Sequence, residues 1–206
     1  MKQTAIPLTD EEKANMQLLE ITDGMVIRVT DPDKLIGSLV LPEGITEIGM
    51  FAFAHCSGLT SIIIPDSVTK IGQGAFACCF GLSCITIPCT VTEIADEVFF
   101  WNGLIHIVIP DTVIKIGKDA FSDCSSLTSV IIPHSVAEIG DEAFFGCTNL
   151  KTVIIESTII KTIKDNAFEN VHADIHFTVK TDAVKAMLKK NTAIRGEQIT
   201  VAPSKS

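Results

Sequence analysis

Leu59-Thr60-Ser61-Ile62-Ile63-Ile64-Pro65-Asp66 sets the architecture of this chain. Side chains 62, 63 and 64 alternate about an extended backbone, so Leu59, Ile62 and Ile64 face inward and Ile63 outward. Pro65 has no amide hydrogen to donate to a ladder, so it stops pairing and turns the chain. Alone, such a strand has nothing against which to bury its apolar side.

The same unit recurs. Prolines at 42, 65, 88, 110 and 133 stand 23, 23, 22 and 23 residues apart, and a degenerate sixth unit starts at Glu156. Each unit runs Pro, two residues, an aliphatic, two more, Ile-Gly or similar, Ala-Phe, Cys, then Leu-x-x-Ile-x-Ile. The aromatic column is Phe53, Phe76, Phe99, Phe121, Phe144 and Phe168. Three residues later stand Cys56, Cys79, Asn102, Cys124, Cys147 and Val171, and the strand column begins at Ile36, Leu59, Leu82, Leu104, Leu127 and Leu150. One such match is weak; five in register are strong.

Stacking the units about 4.8 Å apart pairs their backbones and aligns identical side chains into a continuous core. The Ile-Gly and Ala-Phe segment returns on the other side, with Phe filling the width between. In the turn before each strand, a small Cys is expected to be buried against exposed backbone amides, and Asn102 can replace it by hydrogen bonding.

The unit Ile-Pro-x-x-Val-x-x-Ile-Gly-x-x-Ala-Phe-x-x-Cys-x-x-Leu-x-x-Ile-x-Ile resembles the BspA-like (Treponema pallidum type) leucine-rich repeat. The resemblance covers roughly residues 36–179. It implies a right-handed, curved α/β solenoid whose parallel strands line one face, with repeats of about 23 residues. It also implies a surface or secreted interaction protein, as most of the family are, in bacteria and some protozoa.

Composition agrees with a packed repeat. The 206 residues are 47% hydrophobic and 20% charged, which suits a single folded domain. Mean hydropathy is high at +0.39. No apolar run approaches the roughly 18 residues of a spanning helix, so many buried strands account for it and no membrane insertion is expected. The formal charge is −9, from 25 acidic and 16 basic residues. Without a Lys/Arg stripe, nucleic acid is not an expected partner, and anionic membranes are disfavoured. Asp10, Glu11, Glu12 and Lys13 interrupt the amino terminus, so the chain as given reads as cytoplasmic by default, against the family's surface or secreted habit.

Both ends read as caps for the stack. Residues 1–35 form an N-terminal cap: Thr9-Asp10-Glu11-Glu12 is a capping box, Met16, Leu18 and Leu19 follow on a short helix, and Met25–Val29 form a strand. Residues 36–179 hold five to six repeats. Residues 180–206 form a C-terminal cap and tail, with Thr181 or Asp182 capping a helix whose Val184, Met187 and Leu188 share one face. Ile199–Val201 is a final strand.

Seven cysteines raise the question of chemistry: Cys56, Cys78, Cys79, Cys84, Cys89, Cys124 and Cys147. Four belong to the buried turn column, no Cys-x-x-Cys pair occurs, and free thiols are expected. Cys56 and Cys79 could also meet disulfide geometry across repeats. Register sets Cys84 beside His106, and Cys89 near Asp111 and His134. A thiol enzyme or a metal site is therefore an alternative reading, although nothing supplies an oxyanion hole or a substrate pocket. No catalytic residue, metal or other cofactor is assigned.

The leading expectation is a non-catalytic protein–protein interaction module that uses the strand face. Its outward columns are Ser38, Ser61, Cys84, His106, Ser129 and Thr152, then Val40, Ile63, Thr86, Val108, Ile131 and Ile154. A solvated sheet face carries polar residues, so the second column is a stripe that wants covering, unless β-propensity alone selects it. Phe100, Trp101 and Phe145 form a second candidate patch, or fill space left by the one-residue deletion in their part of the repeat. The partner is an unidentified protein; the other alternative is a self-assembling surface or structural element, a homo-oligomer.

Overall fold

The structure, a computed structural model, describes residues 8–190 and 194–203. The expected cap segments 1–35 and 180–206 include residues 1–7, 191–193 and 204–206, which lie outside it. The chain opens with α1 (Asp10–Met16), β1 (Leu19–Thr22), β2 (Met25–Val29), β3 (Gly37–Val40) and β4 (Glu47–Ile48). Long and short strands then alternate: β5 (Leu59–Ile63), β6 (Lys70–Ile71), β7 (Cys84–Thr86), β8 (Glu93–Ile94) and β9 (Lys115–Ile116). After these come β10 (Ser129–Ile132), β11 (Glu138–Ile139), β12 (Thr152–Ile155), β13 (Thr162–Ile163), β14 (His176–Val179), α2 (Asp182–Leu188) and β15 (Ile199–Val201). Both α-helices among the described residues lie in the caps; the repeats are strand and turn.

Two parallel ladders face each other across the core. The long-strand ladder runs β3-β5-β7 and β10-β12-β14-β15, joined through isolated bridges at Thr86–Val108 and His106–Ser129. The short-strand ladder runs β2-β4-β6 and β8-β9-β11-β13. Each ladder is interrupted once, and the two interruptions have different causes. In the long ladder, Leu104 follows Phe99 by five residues where other units use six, so residues 106–108 reach only single bridges. In the short ladder, no backbone bond joins β6 to β8. There Ala95 replaces the Gly of Ile-Gly. Elsewhere this glycine packs closely on the preceding turn: a Cβ at Gly72 would stand 2.7 Å from the Met50 amide nitrogen, and one at Gly140 only 2.6 Å from the Gly117 carbonyl carbon, although Lys164 also takes this place and its amide still reaches the Ile139 carbonyl at 3.2 Å.

The core is a stack of aromatic rings. Phe53, Phe76, Phe99, Phe121, Phe144 and Phe168 are buried, with successive centroids 5.1–5.9 Å apart and rings within 19° of parallel. Two backbone columns with positive φ flank the Phe stack, the first ending before Phe168. One holds Phe51, Gly74, Glu97, Asp119 and Glu142; the other holds His55, Cys78, Trp101, Asp123, Gly146 and Asn170. Gly, Asp, Asn and His at several of these places fit the left-handed region, whereas Phe51 and Trp101 are costly there.

One expectation is extended and another corrected. The cysteine column meets carbonyls as well as the expected amides: the Sγ atoms of Cys79, Cys124 and Cys147 donate to the carbonyls of Phe53, Phe99 and Phe121 at 3.0–3.1 Å, with the backbone amides of Cys56, Asn102 and Cys124 beside them. Asn102 Nδ2 donates to the equivalent Phe76 carbonyl at 2.8 Å, so it replaces the thiol as a donor. In the first unit, Ile36 does not start the strand core. Leu35 is fully buried and Ile36 is 54% exposed, because the ladder slips one residue between Gly37 and Ser38.

The ends close the stack. Thr9 and Glu12 form the capping box of α1, and Asn15 Nδ2 donates to the Ile36 and Ser38 carbonyls on the free edge of β3. This covers an edge that could otherwise pair with another chain. β1 and β2 form an antiparallel hairpin, with β2 serving as the first short strand. At the other end, Thr181 caps α2, Val184 and Leu188 are buried with Met187 packed beside them, and β15 pairs with β14.

Candidate interaction surface

The parallel register assembles the predicted strand-face residues into two rows. Ser38, Ser61 and Cys84 align in successive strands, as do His106, Ser129, Thr152 and His176. The neighbouring row runs Val40, Ile63, Thr86 and Val108, then Ile131, Ile154 and Thr178. Val108 is 76% exposed, Ile63 61% and Ile131 51%, while Val40 and Ile154 are half-buried. Around Val108 the apolar row sinks into a shallow cleft of about 380 Å³, lined by Ile131, Pro110, Pro133, Asp111 and Glu156.

The outward row of the short-strand ladder is the natural control. It reads Glu47, Lys70, Glu93, Lys115 and Glu138, with Lys70–Glu47 at 2.6 Å and Lys115–Glu93 at 2.7 Å. Both rows lie on strands, so β-propensity acts on both, yet only the long-strand row is apolar.

The second predicted patch is only partly assembled. Trp101, 53% exposed, meets Phe80 edge-on at 5.7 Å and Phe100 at 6.3 Å. Phe80, 54% exposed, was not anticipated; its signal is the deletion after Phe99, which removes the residue that would have covered it. Phe145 makes no aromatic contact with this group, since Ser122 holds the intervening turn.

The candidate chemistry does not converge on a centre. Cys84 and His106 are exposed on neighbouring strand positions, and His134 Nδ1 lies 3.5 Å from Asp111 Oδ1 with both side chains in solvent. Among the described residues, no group of three or more His, Cys, Asp or Glu could hold a metal ion. All seven cysteines are free. Burial pushes Cys56 and Cys124 up to about 12 and raises Cys79 and Cys147 as well, so these four stay thiols, and Cys79, Cys124 and Cys147 act as donors. Cys84 and Cys89 are exposed.

The profile of the BspA type leucine rich repeat region matches residues 33–102 and 92–194, in six copies. The chain belongs to the BspA type leucine-rich repeat family. Among solved structures, it is similar to the leucine-rich repeat protein of T. pallidum (TM-score 0.61, 26% identity), covering 85% of this chain and 94% of that one. A leucine-rich repeat protein from Bacteroides ovatus matches at 0.60 and 28% over 75% of this chain. The pneumococcal vaccine antigen PcpA shares the fold (TM-score 0.72, 24% identity) over 88% of this chain. This chain spans 45% of PcpA and 42% of the Bacteroides protein. No curated protein is significantly similar to it. Like its relatives it is a stack of parallel strands, and among the described residues no helix is long and apolar enough to cross a membrane.

Proposed function

We propose that this family member is a non-catalytic protein-interaction module that binds through the long-strand face. The observation that carries the reading is the contrast between two outward rows on strands of one solenoid. The short-strand row is charged and solvated, whereas Ile63, Val108 and Ile131 stand exposed in the other. Val108 and Ile131 stand exposed on adjacent turns, with Ile63 beyond Thr86, and covering such aliphatic surface is favourable by about 25 cal/mol per Å². The ladder also holds these residues in place, so little order is lost on binding. A surface or secreted address suits this reading and the family.

Affinity capture with the immobilised chain tests it. Extracts of the source organism and of the surfaces it meets are compared on wild type and on Val108→Asp/Ile131→Asp. A partner held by wild type and released by the variant supports the strand face. A partner held equally by both places the site elsewhere, with Phe80, Phe100 and Trp101 next.

A further inference from the structure

A line of carboxylates borders the apolar row. The turn that leaves each long strand carries Glu43, Asp66, Asp111 and Glu156, all exposed. Cys89 and His134 take the place of Glu43, Asp66 and Asp111 in two units, while Glu156 and Lys180 stand one residue earlier, in register with the prolines. Asp111 and Glu156 share the cleft with Val108 and Ile131, so charge and apolar surface meet at one place. At the amino-terminal edge, Glu11 Oε1 accepts from the Ser38 amide at 3.0 Å and Glu12 Oε1 from the Ser38 hydroxyl at 3.3 Å, extending the carboxylates along a second side. The opposite flank of the apolar row carries Ser61, Cys84, His106, Ser129, Thr152 and His176, with Lys151 at its margin and no carboxylate among them.

We infer that the strand face takes a polypeptide segment presenting aliphatic side chains beside a line of lysine or arginine. This rests on the strand face being the binding surface. The aliphatic row supplies contact area that must leave water, and the carboxylate border selects the partner by charge. A second copy of the chain is a poor occupant, because each copy carries a net charge of −9 and the same acidic border.

Selection of a random displayed peptide library on the full chain at physiological salt reads this out. The expected winners combine aliphatic residues with Lys or Arg and lose binding to Val108→Ser/Ile131→Ser. On Asp111→Asn/Glu156→Gln their affinity falls about threefold to tenfold, as two exposed charge pairs allow. Unfolding curves matching wild type establish that these surface variants are folded. Winners that need Val108 and Ile131 but are neutral or acidic overturn the inference and leave the strand face standing as the binding surface. Winners indifferent to those two residues, or no enrichment at all, overturn both. A dimer in light scattering that Val108→Ser/Ile131→Ser converts to monomer makes a second copy the occupant and overturns the inference.

Discussion

Replacing Gly140 by alanine tests what sets the spacing of the turns. Its Cβ would stand 2.6 Å from the Gly117 carbonyl carbon and 2.8 Å from both the Gly117 oxygen and the Lys118 nitrogen. These are backbone atoms of the preceding turn, which cannot swing aside as a side chain can, so β11 must lift from β9. Lifting breaks Gly140 N–H to Ile116 O, 2.9 Å, and strains Ala137 N–H to Ile114 O, also 2.9 Å. Each backbone bond contributes about 1 kcal/mol net, and overpacking adds about 1–2 kcal/mol. Alanine's smaller loss of chain entropy offsets about 0.5–1 kcal/mol. The expected destabilisation is about 2–3 kcal/mol. The molecule contains both outcomes: where Ala95 stands over Gly72 the ladder is open, with a cleft of about 500 Å³ beside it, whereas Lys164 stands over Gly140 and still donates to the Ile139 carbonyl at 3.2 Å. Urea unfolding followed by far-UV circular dichroism gives the stability, and amide exchange at Gly140 reports the bond directly. A loss under about 0.5 kcal/mol with unchanged exchange at Gly140 refutes the steric account. In the reverse substitution, Ala95→Gly, each backbone bond regained between β6 and β8 contributes about 1 kcal/mol, offset by about 0.5–1 kcal/mol of glycine chain entropy, so the change is read best from amide exchange.

Four further outcomes follow from the core and its borders. Asp119 is raised to about 6 by burial and by the hydrogen bond and charge of Glu142, against Lys118, with Glu97 adding to the rise. A carboxyl raised when folded takes up its proton before the unfolded chain does, so stability rises as pH falls from about 6 towards the ordinary aspartate value of 3.8. Asp119→Asn flattens that slope and stabilises the chain at neutral pH by on the order of 1 kcal/mol, read from urea midpoints across pH. Phe121→Ala removes a ring stacked at 5.2 Å on Phe99 and 5.1 Å on Phe144. It costs about 3–5 kcal/mol and, because a solenoid is coupled only through neighbours, broadens or splits the urea transition. Cys124→Val leaves the buried Phe99 carbonyl without its donor and costs about 1–3 kcal/mol by the same assay. In the native wild type, a thiol reagent at neutral pH labels Cys84 and Cys89 quickly and the buried column only on unfolding.

The period, the aromatic stack and the inward strand residues were legible in the chain, because a solenoid makes every unit solve the same local problem. Alternation at 62–64 and proline at 65 need no distant contact to be read, and recurrence at about 23 residues states the stacking outright. The capping box at Thr9 and the apolar face of α2 were legible for the same local reason. What register alone could not give was the distance between turns and the direction of each polar group. Tertiary structure decided that cysteine thiols meet carbonyls, that Leu35 displaces Ile36 through a one-residue slip, and that the short ladder opens at Ala95 but not at Lys164. It also brought Phe80 against Trp101 and set Asp111 and Glu156 beside Val108. Each is an approach between adjacent turns, where a single methyl group or a single missing residue changes which atoms touch.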